Sequence, residues 1–206
     1  MANEGIGGRY LNRILHEIGK KSEADYLGTI DDKNPKYQKL LAKYRVNSKT
    51  LKPGKIAEAP RYSLDDAVQI ARESQLWLDP TNPEKDFLKD LRLAVADELG
   101  FIKDEELEQL RIYTAVGSPL DFVHGRNFFL ELIQSGKRIP LRVFGNLVAE
   151  DFEKKRKKEG VLYIDGHAID DPENDKGNYL QKVTDIAGEV VGALQKEEAR
   201  DMASRN

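Results

Sequence analysis

The hydrophobic period of this chain changes near residue 110, and this change is the strongest constraint on its fold. Before it, apolar side chains recur every three or four residues, as they do on one face of a helix. The clearest case lies between Glu84 and Leu99, with Phe87, Leu88, Leu91, Val95 and Leu99 on one face. After it, short segments are rich in β-branched and aromatic residues. The sequence therefore predicts a helix followed by a group of strands.

Three extended segments follow this helix. The first covers 111–116, the second is the almost continuously apolar 128–133, and the third covers 138–144. An apolar run of this kind is typical of a central strand, so we expect the second segment in the middle of the sheet and paired with the third as a hairpin. Pro140 lies inside the third segment and cannot donate a ladder hydrogen bond. We therefore expect that strand to be an edge strand or to be bulged.

The rest of the chain alternates between helix and strand. A highly charged helix is predicted at 149–159, a fourth strand at 161–164 and a last helix at 179–194, after the acidic loop 165–178. From residue 84 onward the predicted order is helix, three strands, helix, strand and helix. This order indicates the α/β class, with a small mixed sheet flanked by helices.

The N-terminal part is predicted to be helical. Apolar stripes indicate helices at 9–19, 36–46 and 64–75, the last with Ser63 as its N-cap. Residues 47–60 have no clear period and contain several Pro, Gly and Ser residues, which is typical of a linker. We therefore divide the chain into a helical N-terminal segment with its linker at 1–60, an α/β core at 61–195 and a polar tail at 196–206.

Composition excludes several classes of protein. The chain has no cysteine, which excludes disulfides, thiolate metal sites and cysteine nucleophiles. No apolar run approaches the roughly 20 residues of a membrane span, so we expect no membrane association. The first twenty residues carry charges throughout and contain no apolar stretch of the secretory kind, so we expect the chain to be cytoplasmic. No Walker-type loop and no Gly-x-Gly-x-x-Gly motif occurs.

Charge is distributed unevenly along the chain. Residues 1–60 carry 12 basic and 7 acidic side chains, a net charge of +5, although the whole chain has a net charge of -3. A basic opening segment is suited to contact nucleic acid or an acidic protein. A net charge of +5 over sixty residues is modest for a dedicated nucleic-acid arm, so a solvated, partly mobile arm is the favoured interpretation, and both stay open at this point.

The predicted order of elements resembles the core of the PD-(D/E)XK, or restriction-endonuclease-like, superfamily. The resemblance covers roughly Glu84 to Leu194 and includes the segment Gly125-Arg-Asn-Phe-Phe-Leu-Glu131, which leads into the second strand. It implies a nuclease-like α-β-β-β-α-β core with a divalent metal. In that superfamily the metal is held by an acidic residue at the start of strand two, by an acidic residue and a lysine on strand three, and often by a glutamate of the first helix. Such a metal activates water and stabilises charge on a phosphate.

The chain departs from that pattern at its central positions. The position of the strand-two aspartate is Asn127, which supplies no charge. Strand three, Ile139 to Gly145, has neither a carboxylate nor a lysine in the required alternation. A second register uses Asp121 and Glu131 as the two carboxylates. Its lysine position is Ile133, so Lys137 or Arg142 would have to reach in from elsewhere to orient water. Glu98 then matches the helical glutamate.

This gives a candidate Mg²⁺ site with Asp121, Asn127, Glu131 and Glu98 as ligands, and Asp121, Glu131 and Lys137 as the catalytic residues. Each has an ordinary structural alternative. Asp121 suits a turn or a helix cap, Asn127 suits the start of a strand, and Glu131 must face water, pair with a cation or bind metal. His124 is either a phosphate contact or a partner of loop backbone groups.

Three functions follow from these alternatives. The first is a nucleic-acid-associated protein whose nuclease-like metal site has decayed, without a cofactor. The second is an active Mg²⁺-dependent nuclease, a phosphodiester hydrolase with displaced ligands. The third is a protein–protein interaction module that uses the exposed helices of residues 9–46. The sequence does not determine the oligomeric state.

Overall fold

The structure is a computed structural model that describes residues 23–44, 62–76, 78–134, 140–148, 160–166, 169 and 174–203. These residues form seven helices and four strands. The helices are α1 (Glu23–Leu27), α2 (Pro35–Tyr44), α3 (Leu64–Glu73), α4 (Asp86–Glu98), α5 (Asp104–Leu107), α6 (Pro119–Phe122) and α7 (Lys176–Ala203). The strands are β1 (Leu110–Thr114), β2 (Phe128–Leu132), β3 (Leu141–Val148) and β4 (Val161–Asp165).

The four strands form one mixed sheet in the order β1-β2-β3-β4. Strands β1, β2 and β3 form an antiparallel meander, and β4 runs parallel to β3. The prediction of an α/β protein with a small mixed sheet is confirmed, and every residue of β2 is buried, as expected for a central strand. The predicted helix at 9–19, the linker at 47–60 and the predicted crossover helix at 149–159 lie outside the described residues.

The prediction for the third strand was wrong in its position and its place in the sheet. Strand β3 begins at Leu141, directly after Pro140, and continues to Val148. It pairs with β2 on one side and β4 on the other, so it is not an edge strand. The proline lies just outside the ladder, where its missing N–H removes no strand hydrogen bond.

One face of the sheet packs against α4 and α7, and we call it the apolar face. Leu110, Leu130 and Val143 project from it into a core that also holds Leu91 of α4 and Val190 of α7. Gly145 is required on this face because the Phe128 ring lies across it. A Cβ atom added at Gly145 would be 1.9 Å from the Cζ atom of Phe128.

The opposite face of the sheet is covered in part by α2, α3 and α6. Tyr113 and Phe129 project from β1 and β2 into a second core, which contains Tyr37, Ile70 and Leu120 of these helices. The Tyr37 hydroxyl donates to the Gly117 carbonyl at 2.9 Å and so holds α2 against the loop that follows β1. This face also carries the polar side chains on which the functional argument depends.

The ends of the helices are set by local capping contacts, and α7 is longer than the sequence predicted. Ser63 caps α3, since its Oγ accepts from the Asp66 amide at 3.1 Å. Helix α4 gives way to Gly100, whose φ of +71° suits glycine after a helix end. Helix α7 ends at Ala203 rather than Leu194, so residues 196–203 of the predicted tail are helical. No helix among the described residues has the length and apolar character needed to cross a bilayer.

Candidate functional site

Charged and aromatic side chains form two neighbouring rows across the face of the sheet opposite the apolar face. Residues that pair across neighbouring strands project to the same side of a sheet. The register aligns Arg111, Glu131 and Arg142 across β1, β2 and β3. The next row, two residues along each strand, contains Tyr113, Phe129 and Phe144. We call this side, defined by Arg111, Glu131 and Arg142, the arginine face.

Glu131 is at the centre of the charged row and is almost completely buried, with 3% of its side chain exposed. Its Oε1 atom accepts from Arg142 Nε at 2.7 Å and also from Arg72 Nη2 of α3. A buried carboxylate is costly unless it is paired, and here two guanidinium groups pair with the same oxygen. Of the three roles open to Glu131 from the sequence, the structure places it in the paired one.

Arg111 is the third guanidinium of the charged row. It lies directly across from Glu131 on β1, yet its Nε atom is buried and has no hydrogen-bond acceptor. The neighbouring Tyr113 lies in the same buried and charged surroundings, which change the pKa of its hydroxyl. Burial, followed by the charge of Glu131, raises the pKa of its hydroxyl. Glu131 therefore pairs with Arg72 and Arg142, whereas Arg111 forms a hydrogen bond with the Tyr113 hydroxyl.

Arg126 lies at the open end of the aromatic row, just before β2. Its Cζ atom is 4.1 Å from the centre of the Phe144 ring, which is a cation–π arrangement. Its Nε and Nη1 atoms are buried without an acceptor, and burial lowers the pKa of the guanidinium. The reference pKa of arginine is so high that the group stays charged at neutral pH. Within the described part of the chain, its guanidinium thus interacts with the Phe144 ring and with Tyr163.

Asn127 extends the pairing between β2 and β3 from one residue before the start of β2. Its Nδ2 donates to the Leu147 carbonyl at 2.7 Å, and its Oδ1 accepts from the Leu147 amide at 2.8 Å. The adjacent Asn146 donates from Nδ2 to the Gly125 carbonyl at 2.7 Å. Both polar atoms of the buried Asn127 amide are used by the backbone of β3. This is the start-of-strand role that the sequence also permitted.

Asp121 and Glu98 occupy different parts of the fold. Asp121 is in α6, and its Oδ2 accepts from the Gly117 amide at 3.1 Å, which is a turn contact. Glu98 is exposed in the last turn of α4, on the opposite side of the sheet. Asn127 and Glu131 share a face but stand four residues apart, roughly 13 Å at the usual strand rise.

The candidate ligands therefore do not surround one position, and Lys137 lies outside the described residues. Across the described ranges, no group of three or more His, Asp or Glu side chains is arranged to hold a metal ion. His124 has the backbone role, because its Nε2 atom is 3.1 Å from the Tyr62 carbonyl oxygen.

The exposed surroundings of Arg126 are partly aromatic. Phe122, at the end of α6, has 62% of its surface exposed, and Val123 beside it is also exposed. Tyr163 of β4 pairs with Asn146 and is half-buried on the arginine face. Tyr113 and Phe129 of the same face are covered by helices, whereas Phe144 and Tyr163 are partly open to solvent.

Reasoning from the sequence did not identify the arginines as a group. The available signal was the alternation of Arg142, Phe144 and Asn146, and of Arg111 and Tyr113, which places each set on one side of its strand. The missing information was the register between strands, which brings Arg111 and Arg142 to either side of Glu131.

Comparisons with known proteins add no further information on function. No family model matches the sequence, and no curated protein and no solved structure matches the chain. The contacts of the arginine face are therefore the basis for a functional conclusion.

Proposed function

We propose that this protein binds nucleic acid through its arginine face without cleaving it, on a nuclease-like sheet whose metal site has decayed. The observation that carries the proposal is the row of Arg111, Glu131 and Arg142, in which the only carboxylate is buried between arginines. The order of helix, three-strand meander and fourth strand supports the nuclease-like layout.

The charge balance of the arginine face favours a polyanion. Alternation along β4 places Asp165 on the same face as Tyr163. On the sheet itself, three arginines face two carboxylates, a net charge of +1; they are Arg111, Arg126 and Arg142 against Glu131 and Asp165, and the charge of Arg72 on α3 is offset by the neighbouring Glu73. The whole chain has a net charge of -3, so the positive charge is a local concentration. Arginine is well suited to phosphate because its planar fork presents several donors.

The donors left over on this face are suitable for phosphate oxygens. Arg142 donates to Glu131 through Nε, and none of the described residues accepts from its Nη1 or Nη2 atoms. The Nε and Nη1 atoms of Arg126 also lack an acceptor, but both are buried, so Arg126 adds positive charge to the face rather than open donors. Guanidinium groups held in place by protein contacts, with donors still available, lose little freedom when an anion arrives.

Hydrolysis is supported less well by the same contacts. A metal-dependent nuclease needs carboxylate oxygens around one ion. Glu131 would have to give up two charge-assisted hydrogen bonds to bind a metal, and Asn127 would have to release Leu147. These contacts favour binding over catalysis.

The alternative of a protein–protein interaction module needs exposed apolar surface on the helices of residues 9–46. The described part of that region has little such surface. Tyr37 of α2 is buried in the second core, and Leu40, Leu41 and Tyr44 pack against it. Leu27 of α1 is buried in the core of the apolar face. The apolar sides of these helices are thus already used within the chain.

The direct test is binding of a labelled 20-nucleotide DNA or RNA, followed by fluorescence anisotropy at several salt concentrations. We expect the logarithm of the association constant to fall linearly with the logarithm of salt, because phosphate contacts release counterions. Arg126→Ala should weaken binding about fivefold, which corresponds to about 1 kcal/mol. Lys89→Ala is the matched control, since this exposed lysine is on α4 at the opposite face.

Lack of binding at low salt would contradict the proposal. An equal loss of affinity in Arg126→Ala and Lys89→Ala would also contradict it. The same protein should leave plasmid DNA intact with Mg²⁺ or Mn²⁺. Metal-dependent cleavage that disappears in Asp121→Ala and Glu131→Ala would replace the proposal with the nuclease alternative.

A further inference from the structure

We infer that a cavity at the outer edge of β1, separate from the arginine face, binds a small α-amino acid through one backbone carbonyl and one backbone amide of that strand. We call it the edge cavity. Its walls include Ile112, Tyr113 and Thr114 of β1 and, from the other side, Leu27 and Gly28. Nucleic-acid binding on the arginine face and amino-acid binding in this cavity are independent, so either can fail alone.

The backbone of β1 presents polar groups at its outer edge. This strand is the first of the sheet, so one of its edges has no neighbouring strand. The Ile112 amide donates outward to the Pro80 carbonyl at 3.0 Å, and the Thr114 carbonyl accepts from Gln75 Nε2 at 2.8 Å. In an antiparallel strand the N–H and C=O groups of one residue point to the same edge. The Ile112 carbonyl and the Thr114 amide therefore point outward as well.

These two remaining groups lack a hydrogen-bond partner among the described residues. Both residues are buried, Ile112 with 1% and Thr114 with 6% of its surface exposed. A buried backbone donor or acceptor needs a partner, which is either water or a ligand where the protein supplies none. The edge cavity is the space from which such a partner reaches them.

The free carbonyl and the free amide are spaced to receive one amino-acid residue. They lie on either side of Tyr113. In a parallel strand pair, such a carbonyl accepts from the nitrogen of one partner residue, and such an amide donates to the carbonyl oxygen of the same residue. The Pro80 carbonyl and the Gln75 side chain occupy the neighbouring positions of the edge, so the pairing cannot extend in either direction. A single amino acid fits this gap better than a peptide strand.

Charged side chains at the edge cavity suit both ends of a free amino acid. Asp79 and Glu84 line the cavity and are exposed, so they lie where it meets solvent. Lys85 also lines it, and its Cγ atom would be 3.5 Å from a Cβ atom added at Gly28. Hydrogen bonds from Thr81 lower the pKa of Asp79, which keeps its carboxylate ionised at neutral pH. The two carboxylates suit an ammonium group, and Lys85 suits a carboxylate.

The volume of the edge cavity, about 90 Å³, limits the size of the ligand. A cavity of roughly 150 Å³ holds benzene, so this one suits a compact molecule without a long side chain. Leu27, Leu88 and Ile112 are buried and give the cavity an apolar wall that suits a methyl group. We therefore expect glycine or alanine as the ligand rather than leucine.

The test is titration of the ¹⁵N-labelled protein with L-alanine, propionate and ethylamine. Propionate lacks the ammonium group of alanine and ethylamine lacks its carboxylate. We expect L-alanine to cause a saturable downfield shift of the Thr114 amide proton, with a Kd of about 1 mM. Propionate and ethylamine should bind at least about tenfold more weakly, because each loses one charged hydrogen-bonding group. L-leucine should not bind.

Two substitutions, each with a matched control on α4 or at its start, test whether binding occurs in the edge cavity. Leu88→Phe fills the cavity and should abolish the shift, whereas Leu93→Phe, at an exposed position outside the cavity, should retain it. Lys85→Gln removes the charge and should weaken L-alanine binding about fivefold. Lys89→Gln, at an exposed position outside the cavity, should not. The result with Lys85→Gln decides the location if Leu88→Phe does not fold.

Three results would overturn the inference. No saturable shift with L-alanine would mean that water alone fills the cavity. Equal binding of L-alanine, propionate and ethylamine would mean that the two ends of an amino acid are not recognised. Full affinity in folded Leu88→Phe or in Lys85→Gln would place the binding elsewhere. Each of these results leaves nucleic-acid binding at the arginine face untouched, since that is measured with DNA or RNA.

Discussion

Glu131 is the residue at which a metal site and the proposed binding surface would exclude one another. A carboxylate in the middle of a buried strand has to be neutralised, either by a metal or by cations of the protein. Arg142 and Arg72 donate to the same oxygen of Glu131, and Arg111 lies opposite on β1. Glu131 Oε1 is thus already bound by two guanidinium groups, and it holds Arg72 and Arg142 together.

Glu131→Gln tests this arrangement through stability. The substitution keeps the shape of the side chain but leaves the neighbouring arginines without a counter-charge in a buried position. Breaking a buried pair in this way costs about 3–5 kcal/mol, and we expect the free energy of unfolding in urea to fall by that amount. Glu98→Gln, on the exposed end of α4, should change it by less than about 0.5 kcal/mol. Similar small changes in both variants would contradict the pairing.

Gly145→Ala tests the packing of the central strands. The added methyl group would overlap the ring of Phe128, which is fully buried and cannot move aside. Overpacking of this kind costs about 1–3 kcal/mol or more, measured as loss of unfolding free energy. Gly188→Ala, on an exposed position of α7 with open space around it, should be neutral or stabilising.

A second substitution, at Phe128, separates the steric overlap with the Phe128 ring from other effects of an alanine at position 145. Phe128→Leu removes ring atoms from the space above Gly145, so Gly145→Ala should cost less in that background than in the wild type. Independent, additive losses would indicate that the two residues do not compete for one space.

At the scale of elements, the apolar face depends on the contact between α4 and α7. The Tyr179 hydroxyl of α7 donates to Asp90 Oδ2 of α4 at 2.8 Å. Burial, followed by this hydrogen bond, raises the pKa of Tyr179 far above its usual value. The neutral hydroxyl is therefore the form that the folded protein holds.

The pH dependence of stability follows from this shift. The folded pKa of Tyr179 lies above the unfolded value of about 10, so its contribution is complete below that pH and is lost as pH rises through the alkaline range. Tyr179→Phe should lower the unfolding free energy by about 1 kcal/mol at pH 7 and should flatten the loss above pH 10. Tyr113, whose pKa is raised by burial, and Lys43, whose pKa is raised by its hydrogen bond to Tyr44, contribute to the remaining slope. An unchanged slope would contradict the assignment.

The elements themselves were largely predictable. The meander, helix α4 and the Ser63 cap follow from hydrophobic period and from local capping chemistry, which act within a few residues. The start of β3 was placed wrongly because the apolar pattern does not show that Pro140 lies just before the ladder. The end of α7 was missed because residues 195–203 are good helix formers without a strong apolar stripe.

At the scale of the whole molecule, the candidate site was less predictable than the fold. Glu131 was identified as a buried carboxylate that needed a partner, but its partners come from β3 and from α3, 59 residues earlier. A shift of one residue in the pairing of two strands would turn Glu131 toward the other face. Strand register is a long-range property, and the arginine face exists only in the register observed.

The central claim is that nucleic acid occupies the arginine face, and amide chemical shifts test it most directly. The ¹⁵N-labelled protein is titrated with a single-stranded 15-nucleotide DNA. We expect perturbed amides at Arg126, along β3 from Val143 to Val148 and along β4, with α4 unchanged. Perturbations confined to α4 and α7, or absent at saturating DNA, would contradict the claim.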